Sequence, residues 1–547
     1  MAIRKILTGL IICAGIIVSG LAMAEDLCAN PVQTESGLVK GLSEKETNTC
    51  SWRGIPYAAA PVGELRWKAP APAEKWDGIR DGSKWGARCV QKGMMEWVNA
   101  DPSNRMSEDC LFLNIWRPNK EGKFPVMVWI HGGGYSGGTG NSEMYFGDRL
   151  SSQGGLVIVT INYRLNLFGF LSLAALREED PNKSVGNYGS LDQVAALKWV
   201  QRNIEKFGGD KNNVTIFGES AGGWSICTML ATPLAKDTFH RAIIESGGCE
   251  ESMPLIKGFE QGKKIAETLG CRPEDLDCLR KLSAKQVVKA DTGGITSGFN
   301  LMNQQDGYLL TDTPLEMIRF GHYNWVPLMA GSNRDEVKII MLLDKDLRKA
   351  APEDYQEIVS AKMEFTDPEL KELMRLYPLS DFNNSPQDAY VQLATDASLG
   401  CPTYLGLASA AKFQKEVYYY RFDFDQMRLG KDIGAMHAME LPFVFNSLDR
   451  APMNLLYGPT QKKIAQPLVG IIQGYWINFA RTGNPNGTGL PDWPKFDPAD
   501  QKAQVLDTQV RTETAKVSDR CAFWDGYTKG HPKLTETMGR KQGEGKR

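Results

Sequence analysis

From about residue 125 onward, short apolar runs alternate with longer stretches whose apolar residues recur at helical spacing. Residues 126–130, 156–162, 214–217, 242–246, 327–331 and 416–422 are rich in Val, Ile, Phe and Tyr and read as buried strands. Between two of them, residues 191–206 place Val194, Leu197, Val200 and Ile204 on one helical face. Strands without polar alternation are buried on both faces, so this order predicts an α/β protein: a large, mostly parallel central sheet with helices on both sides. Residues 25–60 read as hairpins instead, so the sheet is predicted to begin with antiparallel strands. Residues 338–415 read as mainly helical, with 362–377 as one of the helices. Lying between two strands, they form an insertion within a single domain spanning 25–530.

Composition narrows this picture. The chain has 547 residues, is 42% hydrophobic and 23% charged, and carries a formal net charge of −2. That balance suits a folded globular protein and offers no basic groove for nucleic acid. Residues 1–24 combine Arg4-Lys5, an apolar stretch and the A-x-A sequence Ala22-Met23-Ala24, the pattern of a cleavable signal peptide. No other run is long enough to insert stably in a membrane, so export to a secreted or periplasmic location is expected. Residues 531–547 are polar and basic and read as a disordered tail. Eleven cysteines are present; Cys13 falls in the leader, and the remaining even number suits disulfides in an oxidising compartment.

The candidate chemistry centres on Gly218-Glu219-Ser220-Ala221-Gly222, a G-x-S-x-G sequence between the 214–217 strand and a helix over 221–231. A strand turning directly into a helix holds the intervening serine at the sheet tip, beside a helix N-terminus that favours negative charge. Such a serine needs a base and an orienting acid. Of five histidines, with His131 set aside as part of a glycine run, His437 is favoured because it sits in a loop following a predicted strand, where open α/β sheets place their sites. The acid is expected after the strand ending near Gly331, where Asp335 and Glu336 both qualify by position. His131-Gly132-Gly133-Gly134 can bring backbone N–H groups close to a substrate oxygen. Gly132, Gly134 and Gly137 also match a dinucleotide fingerprint, but no helix follows at once and the next strand ends without an acid, which excludes that reading. The sequence carries no metal-ligand spacing, and no cofactor is expected.

These residues, with Glu108-Asp109-Cys110-Leu111-Phe112-Leu113-Asn114 and the His437–Phe443 segment, closely resemble the type-B carboxylesterases, the cholinesterase-like branch of the α/β-hydrolase fold. The resemblance implies a serine hydrolase that cleaves small-molecule carboxylic esters through an acyl-enzyme, with Ser220, Glu336 and His437 as its triad. It implies Gly133, Gly134 and Ala221 as oxyanion donors, and bridges Cys89–Cys110, Cys271–Cys278 and Cys401–Cys521. To these is added Cys28–Cys50, which brackets a loop; Cys227 and Cys249 are left over, with Cys227 expected as a buried thiol. Candidate substrate contacts are Glu219, Trp97, Phe299, Asn303 and Gln304. The spacing of Trp97 to Cys110 differs from that of a choline site. Asn303 and Gln304 offer amides where an apolar acyl pocket is usual, and Glu250-Glu251 make a nearby rim acidic. Two alternatives share the scaffold: a non-catalytic binding or adhesion relative, which would lack the serine or histidine, and a lipase, which would need an apolar lid.

Overall fold

Most of the predicted strand sequence enters one sheet. A computed structural model describes residues 27–92, 100–290, 301–341 and 344–531. Its large sheet contains β1 (Leu42–Glu44), β2 (Thr49–Pro56), β3 (Phe112–Pro118), β4 (Phe124–Ile130), β5 (Val157–Ile161), β6 (Gly209–Glu219), β7 (Arg241–Glu245), β8 (Leu328–Asn333), β9 (Val417–Phe422), β10 (Lys502–Leu506) and β11 (Arg511–Thr514). Across the sheet their order is β11-β10-β9-β8-β7-β6-β4-β5-β3-β2-β1. Neighbours from β10 to β5 run parallel. β1 to β3 pair antiparallel, as predicted for the N-terminal region, and β11 closes the far edge antiparallel.

Alternation along β4 shows why these runs lack polar positions. Val126, Val128 and Ile130 enter the core on one face, while Met127 and Trp129 enter the core on the other. The first face is covered by α1 (Tyr188–Asn203) and α2 (Ala221–Ala231), through Leu197, Val200, Ile226 and Leu230. On the second lies the 24-residue helix Pro459–Thr482, through Leu468, Ile472 and Trp476. The C-terminal ends of β6, β7, β8 and β9 therefore open on one side of the sheet, with their following loops adjacent.

The insertion is mainly helical, and the helix predicted over 362–377 starts later than expected, its first residues falling in a break between two helices. Helix α3 (Tyr355–Lys362) ends where Met363 turns extended, and α4 (Asp367–Leu376) starts anew. Thr366 and Glu369 form a capping box and Pro368 occupies the first turn, so local chemistry restarts the helix there. The final helix runs Ser518–Gly530. His531, expected in the tail, sits against Tyr527 at 4.5 Å between ring centroids and contacts Glu369 Oε1 through Nε2 at 2.9 Å. The predicted leader and residues 532–547 lie outside the described residues. Among the described residues no helix is long and apolar enough to cross a membrane.

Candidate active site

β6 ends at Glu219 and α2 begins at Ala221, so Ser220 alone makes the turn. Its backbone takes φ 58°, ψ −125°, a sparsely populated conformation for a residue with a side chain. The turn is held by Ser220 N–H donating to Glu245 O (2.9 Å) and by Trp224 N–H donating to Ser220 O (3.0 Å). The glycine loop after β4 packs directly on this elbow: a side chain on Gly132 would come within 2.9 Å of Ser220 Cβ. His131 anchors that loop. Its Nδ1–H donates to Gly132 O (2.8 Å), its ring stacks on Tyr163, and burial pushes its pKa down to about 4, so it stays neutral. Gly133 and Gly134 both have positive φ, and Gly133 O is taken up by the amides of Ser136 and Gly137. Among the described residues the amides of Gly133, Gly134 and Ala221 find no backbone acceptor.

The loop after β9 brings His437 to the same place. His437 Nδ1 lies 2.6 Å from Glu336 Oε2, and the His437 amide donates to Glu336 O at 3.2 Å. The other carboxyl oxygen of Glu336 accepts from Asn333 N (2.7 Å) and Ser246 Oγ (2.6 Å). Asp335, which sequence position alone left equal to Glu336, bonds instead to Arg334 and to the Ala435 amide. On its other edge, His437 Nε2 lies 3.0 Å from Glu219 Oε1, but that oxygen is not aligned as a hydrogen-bond acceptor. Burial alone would push the imidazole down; the charges of Glu219 and Glu336 outweigh it and hold its pKa well above the usual histidine range.

Two further buried acids lie close to Glu219 and, for Glu440, to Glu336. Glu245 accepts from Trp476 Nε1 (3.0 Å), and burial pushes its pKa up to about 8. Glu440 accepts from Asn333 Nδ2 (2.6 Å) and is raised well above the usual range by burial and then by its acidic neighbours. Burial thus pushes both toward their neutral forms, which limits the negative charge gathered around Glu219 and Glu336. Sequence reasoning missed Ser246, Glu245 and Trp476; a polar residue at the C-terminal end of a predicted buried strand was the available signal for the first two.

The remaining candidates separate. Trp97 and Phe299 lie outside the described residues. Asn303 and Gln304 sit on a short strand, Asn303–Gln305, that pairs with Ser252–Pro254. Asn303 accepts from Ser190 Oγ (2.6 Å) and donates to Thr228 Oγ1 (2.9 Å); the Gln304 backbone N–H donates to Asn187 Oδ1 (2.7 Å) and its Nε2 donates to Met302 O (2.8 Å). Both are buried and brace this region internally, with Gln304 Oε1 left without a hydrogen-bond partner. Disulfides join Cys28–Cys50, Cys89–Cys110, Cys271–Cys278 and Cys401–Cys521. The expectation of a buried thiol at Cys227 is overturned, because a fifth bridge joins Cys227 to Cys249. Cys227 lies on α2 and Cys249 in the loop after β7, and the backbones of Gly223 and Gly247 touch closely enough to bring loop and helix together.

With this geometry in place, comparisons with known proteins agree on one relationship. A model of the carboxylesterase family matches residues 29–524. The chain is 36% identical over 498 residues to the para-nitrobenzyl esterase of Bacillus subtilis, covering 89% of this chain and 97% of that protein. It is 34% identical over 478 residues to the fumonisin B1 esterase of Sphingopyxis macrogoltabida, covering 85% and 84%. Among solved structures, a carboxylesterase of Geobacillus stearothermophilus superposes with a TM-score of 0.79 at 32% identity, covering 90% of this chain and 99% of its own. The architecture described above is thus the α/β-hydrolase fold.

Proposed function

The chain belongs to the carboxylesterase family and is a carboxylic ester hydrolase, and on that premise we propose that Ser220, His437 and Glu336 carry the reaction as nucleophile, general base and orienting acid. The observation that supports this most is the 2.6 Å contact of His437 Nδ1 with Glu336, made at the elbow that strains Ser220. Held through Nδ1, the ring offers Nε2 to the elbow, where Glu219 and Ser220 are successive residues. In the reacting arrangement Nε2 turns from the Glu219 carboxylate to the Ser220 hydroxyl and takes its proton as Oγ attacks the ester carbonyl. Glu336 steadies the imidazolium that forms. The amides of Gly133, Gly134 and Ala221 receive the oxyanion, each worth on the order of 100- to 1000-fold in rate. The imidazolium returns its proton to the leaving alcohol; water, deprotonated by His437, then attacks the acyl-enzyme, and as the C–Oγ bond breaks the imidazolium returns that proton to Ser220 Oγ, releasing the acid.

Substrates of this site are small-molecule carboxylic esters, the class that the family relationship supports. The five disulfides support export after removal of residues 1–24.

Ser220→Ala tests the reading. Replacing a triad serine costs on the order of 10⁶ in kcat, so hydrolysis of p-nitrophenyl acetate should fall to background with the circular dichroism spectrum unchanged. An organophosphate should label the parent chain at Ser220 and leave the variant unlabelled. Turnover by Ser220→Ala above a few per cent of parent would refute the assignment. Long-chain esters hydrolysed faster than short ones at an emulsion surface would favour the lipase alternative.

A further inference from the structure

We propose that Asp335 is a positioning residue for the histidine: its carboxylate clamps the Gly434–Ala435 backbone and so sets where the His437 imidazole stands relative to Ser220. This rests on the assignment of His437 as general base.

Asp335 Oδ2 accepts the Ala435 amide at 2.9 Å, and the Asp335 amide donates to Ala435 O at 3.0 Å. One residue thus holds both polar groups of Ala435. The next residues of the loop are held in step: Met436 O accepts from Asn333 Nδ2 (2.8 Å), and the His437 amide donates to Glu336 O. Three consecutive residues of the β9 loop are therefore pinned by Asn333, Asp335 and Glu336 from the end of β8. The clamp has its own anchor. Arg334 reaches Asp335 Oδ2 through Nε (2.9 Å) and Nη2 (2.8 Å), and also bonds Asp425 Oδ2 (2.9 Å) and Asp423 O (3.2 Å) at the exit of β9. The fit extends to the loop backbone. Gly434 has φ 60°, and a Cβ there would lie 2.7 Å from Asp335 Cγ, so the carboxylate occupies the space a side chain would need.

The two adjacent acids divide the work. Glu336 meets the ring, and Asp335 meets the backbone that carries the ring. A displacement of about 1 Å in a catalytic group is enough to cost on the order of 100-fold in rate, and the clamp is the contact that would prevent it.

Asp335→Ala, Asp335→Asn and Gly434→Ala are compared with the parent chain on p-nitrophenyl acetate. Asp335→Ala should lower kcat by about 10- to 100-fold with KM within about twofold, and weaken or shift the low-field proton resonance of His437 Nδ1–H. Asp335→Asn keeps an oxygen for the Ala435 amide and should restore most of the kcat and the resonance. Gly434→Ala, which presses on the same carboxylate, should resemble Asp335→Ala and serves where that variant does not fold. Parent-like kcat and an unchanged resonance in Asp335→Ala, or in Gly434→Ala where the former is insoluble, would overturn the clamp. Retained turnover by Ser220→Ala would instead overturn the underlying assignment, leaving the two failures distinguishable.

Discussion

The two edges of the His437 imidazole are built differently. At Nδ1 stands Glu336, fully buried, aligned at 2.6 Å and itself held by Asn333 and Ser246. At Nε2 stands Glu219, as close as 3.0 Å but out of line for a hydrogen bond. A group that must keep one orientation through two acyl-transfer steps needs a fixed partner on one side and an exchangeable one on the other. The Nδ1 edge is a permanent joint. The Nε2 edge is a parking position, one residue from Ser220.

The largest effect should come from breaking the permanent joint. Glu336→Gln keeps the shape but can donate to the ring or to Ser246, so it favours the wrong tautomer. A comparable carboxylate-to-amide change in a triad costs about 10⁴ in kcat, and steady-state kinetics on a short-chain ester should show a loss of that order. A kcat within tenfold of parent would place the orienting acid elsewhere.

The joint also has a frame. The Cys227–Cys249 bridge ties the helix after Ser220 to the loop after β7, three residues beyond the Ser246 that supports Glu336. Closing a loop of this length is worth about 3 kcal/mol, so Cys227→Ser and Cys249→Ser should each lower stability by that amount in urea unfolding. The double variant should lose no more than either single one. Additive losses would mean that packing at the two sites, and not the bridge, carries the effect.

A smaller loss is expected at Ser246. Its hydroxyl is one of two donors to Glu336 Oε1, and a hydrogen bond to a charged group is worth about 1.5–3 kcal/mol. Ser246→Ala should reduce kcat by roughly tenfold to a hundredfold if that energy is expressed in the rate, since Asn333 N remains in place. An unchanged kcat would show that Asn333 alone suffices.

Legibility from sequence followed the same division between local and tertiary causes. The strand runs, the elbow and the histidine loop each rest on chemistry within a few residues, and they could be read. The choice between Asp335 and Glu336 came from the family resemblance and not from local chemistry, because adjacent acids after one strand differ only in which part of the distant β9 loop they meet. Cys227 was misread for a related reason: its partner is set by β6 and β7 lying side by side and by two glycines that let helix and loop touch. Asn303 looked available because side-chain partners at Ser190 and Thr228 are remote in sequence. The long helix Pro459–Thr482 escaped notice since Pro467 lies inside it, and only packing against the sheet explains its persistence.

The last and smallest effect concerns the exchangeable edge. Among the influences on His437, burial lowers its pKa, while Glu219 first and Glu336 second raise it, leaving it well above the usual range. A general base works only when unprotonated, so the rate falls as pH drops through that raised value, and the acid limb of kcat/KM lies on the alkaline side of an ordinary histidine. Glu219→Gln removes one raising charge without removing Glu336. The imidazole then gives up its proton more readily, and the limb should move toward lower pH. On the alkaline plateau His437 is neutral in both proteins, so the two rates there should agree within about tenfold. Below the parent's limb the variant should be the faster enzyme, a crossing that a pH-rate profile reads directly. A limb that stays in place would mean that Glu219 does not face the histidine in the working enzyme; one that moves upward would mean that Nε2 is held by something other than that carboxylate.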